Sequence, residues 1–388
     1  MARGEIVTAR VERIAAGGAG IARVEGKSVF IALTAGGDTV RCRISNDHKN
    51  WAEAELLEVL EPSPQRTKPL CPHYGICGGC SLQHLNYEAQ IEAKRAILGD
   101  AFIRLGGINP PEIRLHKSEA FGYRNRVQFH KADESGQKLM FKERKSSRLV
   151  VLEDCPVADR GIREALKNGG LNPPGRKRFT VYSRNNTFLY EGGPERGKVS
   201  ILGRELTIDA GVFFQSNASM LELLIKDLLR AASGTDNSLP LADVYCGVGT
   251  FSSFLGGGFE GNQGFTEIDL IEENKTALTL ARENVRALKV NYHPLTDTAW
   301  VKTLKEKGRS GPWSFMILDP PREGLSAPLR EYLAHNGPAL IAYVSCDPAT
   351  LARDSRVLAD GGYSLKELTM YDFYPQTAHI ESLALFSR

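Results

Sequence analysis

Two groups of cysteines and one pair of glycines in this chain have spacings that could do chemistry. Residues 71–80 read C-P-H-Y-G-I-C-G-G-C, which sets Cys71, Cys77 and Cys80 in one short segment. Three thiols are one short of a tetrathiolate metal site. The spacing C-x5-C-x2-C matches neither the paired C-x2-C of zinc knuckles nor the C-x3-C-x2-C of radical enzymes. On spacing alone, a structural zinc and an iron-sulfur cluster both stay open.

A second thiol, Cys346, closes the apolar run of A-Y-V-S-C-D-P-A-T-L-A-R-D, and Glu381 of H-I-E-S opens the last apolar run. A lone cysteine at a strand end usually packs. Beside a carboxylate and a methyl donor it has a specific use. Carbon 5 of a pyrimidine is a poor nucleophile until a thiolate adds to carbon 6. Once carbon 5 is methylated a proton must leave it, and Glu381 is the candidate base. Cys246, in D-V-Y-C-G-V-G-T-F, is the rival thiol, ranked second because it falls where a cofactor is expected.

In that glycine loop, Gly247 and Gly249 let the backbone approach a ligand, but Ser252 stands where a dinucleotide fingerprint wants a third glycine. A nucleoside cofactor without a pyrophosphate relies instead on carboxylates at neighbouring strand ends. Glu272 suits ribose hydroxyls and Asp297 an adenine amino group, with Glu267 competing for the ribose. S-adenosylmethionine matches this layout.

The elements that must position these groups follow from periodicity. From Leu239, short apolar runs at 240–247, 289–293, 313–319 and 339–346 alternate with helical stretches. Over 273–288, Ala277, Leu280, Ala281, Val285 and Leu288 fall on one expected helix face. This predicts an α/β domain over 211–388 with a doubly wound parallel sheet, its ligands at the carboxyl strand ends. D-P-P-R-E-G, 319–324, leaves the same rim. The last two apolar stretches, with no helix between them, predict an antiparallel C-terminal pair.

Upstream, residues 1–61 alternate like the strands of a small OB-like β-barrel, with Arg10, Arg13, Arg23, Arg41 and Arg43 among them. These arginines suit RNA or a solvated face equally. The proline-rich stretch 61–69 closes the module. Residues 70–210 predict a β-rich central domain, with a helix over 87–105 and strands near 123–130, 139–142 and 148–152. Arg124 and Arg126 are candidate RNA contacts or strand-face charges.

At 388 residues and 24% charged, the chain has room for two or three folded domains and an ordinary soluble composition. No apolar run reaches the ~18 residues of a membrane span, and the first residues lack a signal-peptide core. A cytoplasmic protein with no membrane contact is expected, and a monomer. Seven cysteines in such a chain do not predict a disulfide framework. The net charge of +3 permits a nucleic-acid partner without requiring one.

Taken together, C-P-x4-C-G-G-C-x-L-Q-H-L, F-F-Q-S-N, D-V-Y-C-G-V-G, D-P-P-R, S-C-D-P-A-T-L-A-R-D and H-I-E-S resemble the RNA uridine 5-methyltransferases that act on 23S ribosomal RNA. The resemblance spans nearly the whole chain and implies a TRAM-like N-terminal barrel that binds RNA. It also implies Cys346 as nucleophile and Glu381 as base. Gln215, Tyr245, Thr250, Glu272, Asp297 and Asp319 would line the cofactor and target-base site; family members often have asparagine where Thr250 stands. It further implies a 4Fe-4S cluster whose fourth ligand is Cys155, in V-L-E-D-C-P-V. A transfer RNA substrate, a catalytically silent RNA-binding assembly factor and a radical enzyme are the alternatives. The spacing of Cys71, Cys77 and Cys80 counts against the last.

Overall fold

The computed structural model describes every residue except 132–137, 169–170, 172–175, 262, 307–310 and 312. Strands β1 (Ile6–Ile14), β2 (Gly20–Val24), β3 (Lys27–Ile31), β4 (Thr39–Asp47) and β5 (Trp51–Glu61) close a barrel in the order β1-β2-β3-β5-β4. Alternate residues fill it, Val11, Val29, Val40 and Cys42 among them, so Cys42 packs. The barrel expected over 1–61 is thus built from five strands. W-A-E-A-E-L-L-E-V-L-E of β5 has the composition of a helix, but antiparallel pairing with β4 along its length overrides that preference. Two of the barrel arginines, Arg41 and Arg43, pair with Glu58 and Glu55 on the outer face.

Helix α1 (Tyr87–Ala101) begins on Asn86, whose side chain accepts from the Ala89 amide at 2.9 Å. The expected helix to Leu105 continues as a π-helical turn over Phe102–Gly106, stopped by Gly107 in the left-handed region. Strand β6 (Ile113–His116) follows. Then β7 (Arg126–Lys131), β8 (Leu139–Lys142), β9 (Leu149–Val151), α2 (Arg160–Asn168), β10 (Arg178–Arg184) and β11 (Thr187–Tyr190) build an antiparallel sheet ordered β11-β10-β7-β8-β9. The hairpin β12 (Arg196–Ile201) and β13 (Arg204–Asp209) precedes α3 (Ala218–Ala232).

The rest of the chain alternates as expected: β14 (Leu241–Val244), α4 (Thr250–Leu255), β15 (Glu267–Ile271), α5 (Lys275–Asn284), β16 (Lys289–His293), α6 (Asp297–Glu306), β17 (Phe315–Leu318), α7 (Ala327–Asn336), β18 (Leu340–Ser345), α8 (Pro348–Asp360), β19 (Ser364–Tyr371) and β20 (Glu381–Ser387). They form one eight-stranded sheet ordered β16-β15-β14-β17-β18-β20-β19-β6. β14 to β18 run parallel, and β20 is antiparallel to both its neighbours. The edge strand β6, from the stretch read as central domain, pairs with β19.

Both sheet faces are covered. Phe315 and Ile317 enter one core and Met316 and Leu318 the other, the two-residue period of a strand buried on both sides. Each such side chain contributes roughly 1.5–3 kcal/mol. Helix α5 ends at Asn284, so Leu288, expected on its buried face, is 90% exposed in the following turn. Among the described residues no helix is long and apolar enough to cross a membrane.

Candidate active site

Strand order reverses between β14 and β17, and the crevice that this leaves at their carboxyl ends holds a cavity of about 840 Å³. Gln215, Tyr245, Thr250, Glu272, Asp297, Asp319, Cys346 and Glu381 all line it. After β14, Tyr245 takes a left-handed φ of 65°, which turns the chain sharply into the glycine loop. Its hydroxyl donates to Asp297 Oδ2 at 2.6 Å. Gly249 must be glycine, because its φ is 75° and a Cβ there would come within 2.6 Å of Val285 Cγ2.

Glu272 stands just past β15 and accepts from the Gly247 amide at 3.0 Å and the Asn274 amide at 2.8 Å. Glu267 begins β15, at the opposite end of the strand, bound to Lys289 and Asn291. Of the two competing glutamates, only Glu272 lines the cavity. Asp297 accepts from Tyr245, from the Ser326 amide at 3.1 Å and from the Thr298 amide at 2.6 Å. Burial raises its pKa, but these donors outweigh it and hold the carboxyl below its ordinary value. Gln215, just before α3, carries a buried Oε1 with no hydrogen-bond partner among the described residues.

Cys346 follows β18 and Glu381 begins β20. Ser345 pairs with Ser382 at the end of that antiparallel ladder, so Cys346 and Glu381 are the adjoining residues of the two chains, and both line the cavity. Burial first, then the charges of Glu381 and Asp319, push the Cys346 thiol up to about 12. Glu381 is 4% exposed, and burial followed by Asp319 drives its carboxyl well above the usual range. Burial and the neighbouring Asp243 push Asp319 up to about 7. Asp243 is itself raised to about 7 by burial, against a 2.5 Å hydrogen bond from Ser252 Oγ. Asp319 and Glu381 both line the cavity and neither has an ion-pair partner among the described residues, which gives the cavity an acidic floor; Arg124 and Arg322 line it as well, and Asp243 is fully buried outside its lining. Cys246 also lines the cavity, but it is buried and its thiol is pushed far up by burial.

Several positioning groups escaped the sequence reading. Asp354, fully buried on α8, accepts from the Leu325 amide, Tyr343 hydroxyl and Arg330, and Arg353 donates to the Glu323 carbonyl. These bonds clamp the end of the D-P-P-R-E-G turn to α8, and the turn lines the same cavity as Cys346. The segment before Glu381 is gripped from elsewhere: Lys94 of α1 donates to Asp372 at 2.6 Å and to the Tyr374 carbonyl at 3.0 Å, both ends of the ion pair buried. Gln376, at φ 67°, is held by Gln90 and by the amides of Ser81 and Leu82, which donate to its carbonyl. The signal for these contacts was three-dimensional, except that R-D of A-T-L-A-R-D was already a motif.

Cys71, Cys77, Cys80 and Cys155 come together around a second, small cavity, walled by Val127, Phe141, Leu152 and Arg124. All are free thiols. Burial pushes Cys80 up to about 11 and Cys155 up to about 12. Among the described residues no group of His, Cys, Asp and Glu closes around a single metal ion. Arg124 lines this cavity and the large one, its guanidinium 5.9 Å from the Tyr374 ring centre.

The doubly wound sheet with an antiparallel strand and a ligand crevice at its switch point is the class I methyltransferase fold. The solved Pyrococcus abyssi tRNA (uracil-54, C5)-methyltransferase, in complex with S-adenosyl-L-homocysteine, shares it, with a TM-score of 0.72 over 98% of this chain and 100% of that one at 22% identity. Residues 2–57 match the TRAM domain family and residues 302–388 the tRNA (Uracil-5-)-methyltransferase family. An RNA methyltransferase of Treponema denticola is 33% identical over 94% of both chains. The 23S rRNA (uracil(1939)-C(5))-methyltransferase RlmD of Azoarcus is 32% identical over 98% of this chain and 99% of its own. The chain belongs to the RNA uracil-5-methyltransferase family.

Proposed function

We propose that the protein methylates carbon 5 of a uridine in 23S ribosomal RNA, with S-adenosylmethionine as methyl-donor substrate, Cys346 as nucleophile and Glu381 as base. The observation that carries this reading is that Cys346 and Glu381, the residues that adjoin the paired Ser345 and Ser382 of β18 and β20, line one cavity together with the acid Asp319. A sulfonium is the cation such a floor would attract. When bound, the donor supplies an electrophilic methyl group, which carbon 5 takes as the thioether leaves.

The chain's own residues do the rest. Glu272, Tyr245 and Asp297 would hold the donor's ribose and adenine, and Gln215, Thr250 and Asp319 would line its contact with the base. Cys346 adds to carbon 6 as the thiolate, its proton having gone to solvent before the cycle and the thiolate being regenerated at its end, and carbon 5 becomes nucleophilic. After methylation Glu381 takes the carbon 5 proton, the ring double bond re-forms and the thiolate departs. Reaching a base in folded RNA costs a few kcal/mol of unstacking. Contacts on the barrel and on Arg124 and Arg126 would offset it.

The acidic floor has a sign that can be tested. Below pH 7 Asp319 is protonated and offers a sulfonium no charge; above it the carboxylate attracts the cation but not a neutral thioether. The affinity of S-adenosylmethionine relative to S-adenosylhomocysteine should therefore rise, by about three- to tenfold from pH 6 to pH 8. Calorimetric titration of both ligands across that range checks it; a constant ratio would contradict the assignment.

For the four thiols, the reading is a 4Fe-4S cluster. What supports it is that all four thiols line one cavity, and four irons would take one thiolate each. Its role would be structural. Ser81, next to Cys80, accepts from the Ala378 amide at 3.0 Å and donates its own amide to Gln376, so the cluster loop braces the segment that carries Glu381. Anaerobically purified protein should hold about four irons and absorb broadly near about 400 nm. In Cys155→Ser both should fall, and amide exchange over residues 372–381 should quicken. Stoichiometric zinc without iron in wild type would overturn the cluster.

A further inference from the structure

The proposed reaction leaves one developing charge unaccounted for. As the Cys346 sulfur bonds to carbon 6, the carbon 5–carbon 6 π pair moves through carbon 4 onto oxygen 4. That oxygen becomes an enolate, and a preorganised hydrogen-bond donor aimed at it would lower the barrier. Glu381 cannot serve, because it must be ionised to take a proton later. Gln215 lines the cavity too: its buried carbonyl oxygen is an acceptor, and its side-chain N–H is the rival donor. Arg124 lies against the Tyr374 ring and spends its Nε on the Arg126 carbonyl.

His379 lines the same cavity two residues before Glu381. Its Nδ1 lies 3.3 Å from Arg322 Nη2. A guanidinium only donates, so Nδ1 is the acceptor, and the single proton of the neutral ring resides on Nε2. A second proton would put an imidazolium against Arg322. The Tyr374 ring packs edge-on at 5.7 Å, and the His379 amide donates to Thr377 Oγ1 at 3.2 Å. Arg322 and Tyr374 thus hold the imidazole on two sides, and no hydrogen bond among the described residues uses Nε2. The residue is exposed and lines the cavity that also holds Cys346 and Glu381.

We infer that His379 is a third catalytic residue, which donates its Nε2–H to oxygen 4 of the target uracil as Cys346 adds, with Arg322 positioning it by fixing the tautomer. No proton changes hands: the hydrogen bond stabilises the enolate until carbon 5 attacks the methyl group. This rests on the uridine methylation reading above.

RNA carrying 5-fluorouridine at the target separates the steps, because a fluorine on carbon 5 cannot leave as a proton and the methylated adduct with Cys346 accumulates. With S-adenosylmethionine and this RNA, wild type should give a denaturation-resistant protein–RNA band. In His379→Ala the rate of adduct formation should fall about a hundredfold, the cost of losing one oxyanion donor, with donor-substrate affinity unchanged. His379→Gln, which keeps an N–H at similar reach, should recover much of the rate. Adduct formation in His379→Ala at the wild-type rate would overturn the inference alone, as would a glutamine variant as slow as alanine. No adduct in wild type would overturn the methylation reading and this inference with it.

Discussion

Cys346→Ala should transfer methyl groups at least about 10⁴-fold more slowly than wild type, since removing the nucleophile of a covalent enzyme costs up to about 10⁶-fold. Without the thiol, carbon 5 stays unactivated, and neither Glu381 nor the acidic floor can compensate. The fold should survive, because Cys346 is only half-buried at a strand end and alanine removes a single sulfur atom. Cys246→Ala is the matched control. That thiol also borders the cavity but is 6% exposed, and its nearest polar contact is the Gly247 carbonyl at 3.8 Å. It should keep transfer rates within several-fold of wild type, the scale of a packing change. Initial rates with labelled donor compare the two. Full activity in Cys346→Ala with loss in Cys246→Ala would reverse the nucleophile assignment.

Glu381→Gln should fail at a different step. The amide is isosteric and needs no charge, so the β18/β20 ladder and the cavity are preserved, while the base is gone. Cys346 should still add and carbon 5 should still be methylated, but the extra proton stays and the thiol cannot leave. A covalent protein–RNA adduct should accumulate to near stoichiometry on ordinary uridine RNA, with turnover down about 10²- to 10⁴-fold. Rapid turnover without adduct would remove Glu381 from the base role. The environment of this carboxylate suits the task. Burial and Asp319 drive it well above its ordinary pKa, and a positive charge beside it would favour the carboxylate. Beside a sulfonium Glu381 can be a carboxylate, and it regains its high basicity once that charge has gone, when the proton must be taken.

Much of this site was legible in the sequence because strand ends are legible. An apolar run that stops at a polar residue marks the sheet rim, and Tyr245, Glu272, Asp297, Asp319 and Cys346 each stand where such a run stops or within a few residues of it. The choice between Glu272 and Glu267 needed the true length of β15, which the glycine-rich 256–264 stretch obscures in sequence. Helical character was credited to the tail of α5 as far as Leu288, because periodicity over a few residues does not mark where a helix stops.

What sequence could not show was how the parts hold each other. Gln90 and Lys94 read as ordinary helix residues in a central domain, yet they grip Asp372, Tyr374 and Gln376 nearly 300 residues away. The cysteine loop reaches the same segment through Ser81. This gives the four thiols, remote in sequence from Cys346, a physical link to the catalytic carboxylate. The segment 372–381 adjoins α1 on one side and the cysteine loop on another, so loosening either should displace Glu381.

The central claim is tested most directly by incubating the purified protein with methyl-labelled S-adenosylmethionine and ribosomal or transfer RNA from cells lacking its gene, then digesting the RNA to nucleosides. The account predicts label in 5-methyluridine alone, confined to one fragment or a few of 23S ribosomal RNA and absent with Cys346→Ala. Label in 5-methyluridine of transfer RNA would move the substrate. Label on a ribose or a ring nitrogen, or RNA binding without any transfer, would contradict the chemistry assigned to Cys346 and Glu381.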